Sequence, residues 1–73
     1  MRTFIIETWS TFHQNSKLFS VGADGEEQAR EMAVTEANRN DRFTTYDFYS
    51  TLISYPFASD PGAKEIAEFK FGD

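Results

Sequence analysis

Between Asp24 and Glu36 the chain sets five carboxylates, Asp24, Glu26, Glu27, Glu31 and Glu36, in the grouping most able to do chemistry. From Ala23 to Asn38 only Arg30 opposes them, so this segment carries −4 of the formal net charge of −5. Glu27 and Glu31 stand four residues apart, where like charges on a helix oppose each other by a few tenths of a kcal/mol. An array of this kind suits a basic groove on a partner protein, imitating the phosphate spacing of a nucleic acid. The plainer account is a solvated helix face whose first-turn acids complement the helix dipole. The dipole favours Glu26 and Glu27 but not Glu36, which falls in the last turn.

Other chemistry is scarce. His13 is the single histidine, it sits in an expected turn, and no spacing fixes a partner for it, so it reads as a surface residue rather than a general base. The carboxylates lack the Asp-x-Asp-x-Asp-Gly spacing of a metal loop, and neither a Gly-rich phosphate loop nor a Gly-x-Ser-x-Gly elbow occurs. With no cysteine and one histidine, no metal site, no cofactor and no catalytic activity are expected.

Aromatic residues form the second candidate. Phe43, Tyr46, Phe48, Tyr49 and Tyr55 crowd one run, and an alternating strand must turn some of them away from the core. Tyrosine suits an interface because it is amphipathic and loses little rotamer entropy, which makes Tyr46 and Tyr49 the candidate anchors. A stacking platform for single-stranded nucleic acid would use such rings too, but with a basic groove that this acidic chain does not offer. Direct nucleic-acid binding is not expected.

Positioning these groups requires a helix and a sheet. Asp24 can cap a helix, with Glu27 completing an Asp-x-x-Glu capping box, and Ala29, Met32, Ala33 and Ala37 recur at helical spacing, giving a helix that ends between Asn38 and Asp41. Before it, Thr3 to Phe12 alternates as a strand, His13 to Ser16 suits a turn, and Leu18 to Ala23 reads as the returning strand of a hairpin. Gly22 and Gly25 let the chain swing into the helix. After it, Phe43 to Tyr55 has no breaker, and as one strand it would span roughly 43 Å at ~3.3 Å per residue. It must bulge, fold back into a hairpin with the next segment, or overhang. Pro56 ends it, Ala58 to Gly62 is a loop, and Ala63 to Phe71 alternates well enough to favour a strand over a helical turn. The chain order β-β-α-β-β implies an α+β fold: a small antiparallel sheet with one helix packed on one face.

At 73 residues the chain is expected to form a single domain over 1–73, and folding buries only ~60% of the surface exposed when unfolded. Twelve aromatic residues are more than so small a core readily hides. The apolar run at Phe4 to Ile6, ended by Glu7, is too short for a signal peptide or membrane span, and a cysteine-free chain fits a reducing compartment, so a cytoplasmic protein without membrane contact is expected.

Val21-x-Ala23-Asp24-x-Glu26-Glu27-x-Ala29, after a hairpin opened by Thr3-Phe4-Ile5-Ile6-Glu7, resembles very small phage-encoded proteins, among them inhibitors of bacterial RNA polymerase and some anti-CRISPR proteins. The likeness covers about the first half of the chain and transfers no functional residues, since those groups share architecture rather than a site. It implies a non-enzymatic viral protein that acts in the host cytoplasm by occupying a basic surface of a bacterial host protein. On that expectation Asp24, Glu26, Glu27, Glu31 and Glu36 make the acidic contact, with Tyr46 or Tyr49 as anchor. The alternatives are a homodimer formed through the aromatic strand, as a structural or accessory protein, and a single-stranded nucleic-acid binder.

Overall fold

A computed structural model describes residues 1–11, 14–39, 41, 43–57 and 60–70. Alternation builds the first strand, β1 (Arg2–Trp9): Phe4, Ile6 and Thr8 are buried on one face, and Ile5, Glu7 and Trp9 are half-buried on the other. β2 (Asn15–Ala23) returns antiparallel, with Arg2 opposite Ala23 and Trp9 opposite Ser16. The Ser10 N–H donates to the Asn15 carbonyl at 2.8 Å, and Gln14 supplies the left-handed residue of the turn at φ 58°. The turn therefore falls earlier in the chain than expected. Asn15 and Ser16 leave the expected turn for the ladder, while the first strand stops at Trp9; Phe12 and His13 lie outside the described residues.

The helix α1 (Glu26–Arg39) lays Ala29, Ala33 and Ala37 on the sheet, all fully buried, with Met32 at the margin. Small side chains bring the helix close, and Phe4, Ile6, Phe19 and Val21 of the sheet supply the volume between the layers. The N-terminal cap differs from the expected one. Gly25 provides the first helical carbonyl, accepting from the Ala29 N–H at 3.0 Å, so the helix opens one residue later than an Asp24 cap would require. The side chain that reaches back is Gln28, whose Oε1 accepts from the Asp24 N–H at 3.2 Å, rather than Glu27.

Two further strands, β3 (Phe48–Tyr55) and β4 (Gly62–Lys70), flank the hairpin in the spatial order β3-β1-β2-β4, every pair antiparallel. The expected α+β class is what the chain forms: one helix against a four-stranded antiparallel sheet. The strand expected over Phe43 to Tyr55 is shortened at its start, where side chains take up backbone groups of Phe43, Thr44 and Tyr46. Asp41 Oδ1 accepts from the N–H groups of Phe43 and Thr44, each at 3.0 Å. Asn38 accepts from the Tyr46 N–H at 2.7 Å and donates to its carbonyl at 3.2 Å, as a neighbouring strand would. Of the three ways to accommodate so long a run, a bulge is the one seen: Leu52 is the extra residue between Thr51, opposite Ile6, and Ile53, opposite Ile5. β4 has its counterpart in Ile66, between Glu65 opposite Phe19 and Ala67 opposite Leu18.

Gly22 lies within β2, not in the swing to the helix, and the reason for glycine is a close approach. A Cβ built there would run into the backbone carbonyl of Asp60, where the chain enters β4 opposite Gly22. Gly22→Ala must push β4 away and is expected to cost about 2–3 kcal/mol. Gly25 has open space around it, so Gly25→Ala is the matched comparison. Chemical denaturation of the pair checks this, and equal midpoints would refute it.

Candidate protein-binding surfaces

The acidic residues of α1 are partly neutralised by their own helix. Glu26 meets Arg30 at 3.6 Å and Glu36 meets Arg39 at 3.4 Å, while Asp24, its side chain 86% exposed, lies 4.0 Å from the Met1 ammonium. Glu27 and Glu31 have no ion-pair partner among the described residues and both are exposed. Tyr49 stands opposite Thr8 in register, which puts it on the helix side of the sheet at the β3 edge, 45% exposed. It closes a shallow hollow of about 250 Å³ whose other walls are Glu26, Glu27, Arg30 and Glu31. Arg30 is held at the base of that hollow, its Nε donating to Thr51 Oγ1 at 2.9 Å while its guanidinium faces Glu26.

Four of the seven residues expected to contact a partner are thus brought together. Two uncommitted carboxylates beside a half-exposed phenol ring suit a guanidinium or ammonium group, which the acids would bind by charge-assisted hydrogen bonds and the ring by its π face. Asp24 is displaced toward the chain start. Glu36 lines a separate hollow on the β4 side with Met32, Thr35 and Ala63.

Tyr46 is misplaced by the sequence reading. It is 1% exposed and belongs to the core, so it anchors the fold and not a partner. Lys17, 4% exposed, lies beneath it with Nζ 5.2 Å from the ring centre and 3.5 and 3.6 Å from the carboxylates of Glu65 and Glu68. Burial, with the charges of Asp41, Glu68 and Glu65, pushes the Tyr46 phenol up to about 12, and the nearby Asn15 side chain only partly offsets this. Its buried hydroxyl makes no hydrogen bond of good geometry. Burial also works to raise the Asp41 carboxyl, but the amides of Phe43 and Thr44 and the charge of Lys17 outweigh it and hold the group below its usual range.

The second surface takes up the expectation that some rings of the aromatic run face away from the core, and adds residues of β1 and β4 that the sequence reading did not single out. The sheet face away from α1 carries Ile5 opposite Ile53, and Trp9 opposite Phe48 with their rings stacked at 5.7 Å and 15°. Phe48, Ile53, Tyr55 and Phe69 are each close to half exposed there. The signal was available: Ile5 and Trp9 occupy the odd positions of a strand whose even positions already fill the core. Among the described residues no cluster of three or more potential ligands could hold a metal ion, and no helix is long and apolar enough to cross a membrane. No family model, curated protein or solved structure matches the chain.

Proposed function

We propose that this chain is a protein-binding module that occupies a basic surface of another protein. The observation that carries the reading is the hollow where Tyr49 meets the uncommitted carboxylates of Glu27 and Glu31. An arginine or lysine of the partner enters between acid and ring, Glu26 and Asp24 extend the negative field, and the partner's own substrate is kept out by bulk and charge. The likeness to phage-encoded inhibitors makes a bacterial host protein the partner and the host cytoplasm the setting. No step of this role is catalytic.

The test is capture from nuclease-treated bacterial lysate by the wild type, by Glu27→Lys/Glu31→Lys and by Tyr49→Ala, each first shown to be folded. A basic protein held by the wild type and released by salt is expected, with affinity lowered about tenfold or more by either variant. Salt matters because exposed charges are screened beyond about 8 Å at physiological ionic strength. Capture that neither salt nor the variants weaken would overturn the assignment.

A further inference from the structure

We propose that the sheet face opposite α1 binds the same face of a second copy, giving a dimer of four layers with the two helices outermost. This surface is distinct from the acidic hollow, and its chemistry is of another kind. Ile5, Trp9, Leu18, Phe48 and Ile53 lie on it by register, and no helix or strand of the described chain covers them. Phe48 and Ile53 are exposed and Ile5, Trp9 and Leu18 half-buried, and apolar side chains this numerous on one sheet face are the mark of a docking surface.

Charge selects the occupant. Among the described residues the register puts Glu7 and Lys64 on this face, one of each sign, and Glu7 Oε2 already accepts from Ser16 Oγ at 3.1 Å. The face is therefore close to neutral, while the chain as a whole carries −5. Two copies meeting here keep their acidic helices apart: with layers ~10 Å apart, the helices stand about 30 Å from each other, several times the screening length of ~8 Å. A strongly basic partner would find little to bind on this face and much to bind on the other.

Area agrees. Four strands ~4.8 Å apart, each of about eight residues at ~3.3 Å, give a footprint of about 500 Å² before side-chain relief, which brings it toward the ~800 Å² per partner of a stable interface. The competing arrangement, in which β3 edges of two copies pair into one continuous sheet, meets an obstacle. Leu52 bulges from one edge strand and Ile66 from the other, and bulges of this kind interrupt the ladder a second strand would need.

Sedimentation equilibrium of the full chain tests this. A mass twice the 8.4 kDa of the chain is expected at high concentration, with dissociation on dilution that shifts the Trp9 emission. Ile53→Lys and Phe48→Lys, at half-exposed positions of the face, are each expected to weaken the dimer at least tenfold, whereas Glu31→Lys leaves it intact. Ile53→Thr, which keeps a β-branched residue in the strand, weakens it in the same direction should the lysine variant not fold. A wild type that stays monomeric at the highest concentration, or a dimer that survives all three face variants, overturns the proposal. Neither result bears on the acidic hollow, which is read by capture of a basic protein.

Discussion

Phe19→Ala is expected to lower the thermal midpoint by about 15–30 °C, enough to leave much of the chain unfolded under physiological conditions. Phe19 is fully buried at the middle of β2, opposite Ile6, between both neighbouring strands and the alanine stripe of α1. Truncating a buried phenylalanine costs about 3–5 kcal/mol, because the transfer energy is lost and a cavity remains. A chain of 73 residues has in total about 4–11 kcal/mol at ~0.05–0.15 kcal/mol per residue, and each kcal/mol moves the midpoint of so small a domain by about 4–8 °C. The loss passes directly to function. A helix of 14 residues is marginal in water by itself, and α1 buries fully only the methyl groups of Ala29, Ala33 and Ala37, with Met32 at the margin, so the large sheet residues are what hold it in place. Circular dichroism at fixed protein concentration measures the shift. Phe48→Ala, half exposed on the opposite face, is the comparison and should cost about 1 kcal/mol; similar losses from both would contradict this account of the core.

Raising the pH from 10 to about 12 is expected to remove up to about 3 kcal/mol of stability through Tyr46 alone. Below pH 10 the folded and unfolded chains both keep the phenol proton. Between 10 and about 12 the unfolded chain has released it while the folded chain, with Tyr46 buried among carboxylates, retains it. The unfolded state then binds fewer protons, so stability falls by about 1.4 kcal/mol per pH unit and the loss ends once the folded form also ionises. Tyr46→Phe isolates this contribution. It keeps the ring over Lys17, deletes a buried hydroxyl without a good hydrogen bond, and should be neutral or stabilising by up to about 1 kcal/mol at pH 7. Urea denaturation of both proteins across the alkaline range checks the difference. Parallel curves would show that another group governs the alkaline loss.

Local patterns in this chain were legible and long-range pairings were not. Alternation from Arg2 to Trp9 and the Ala29, Ala33, Ala37 stripe state the period of each element directly, and both hold. Tyr46 was misread because nothing near it in the chain breaks the strand pattern; what ends the pattern is Asn38, eight residues earlier, taking the hydrogen bonds a strand would have taken. Lys17 reads as an ordinary turn-proximal charge until β4 brings Glu65 and Glu68 beside it. The acidic hollow was half legible: the carboxylates stand out, but Tyr49 joins them only because β3 pairs with β1 instead of with β4, its successor in the chain. Spatial order of strands has no local signal, so the site's second half waited on it.

The order β3-β1-β2-β4 also sets how much chain each strand pairing must close. Among the described residues the central hairpin is the sole strand pairing between neighbours in the chain, closed by the bond from Ser10 to Asn15. Each outer strand must find its place from far away: Tyr49 comes to Thr8 and Gly62 to Gly22, roughly forty positions apart in both cases. Closing a loop of that length costs more chain entropy than closing the hairpin's short turn, by about 0.6 kcal/mol for each doubling of length. The hairpin is thus the pairing that costs least chain entropy to close, and β3 and β4 hold opposite edges of it without touching each other.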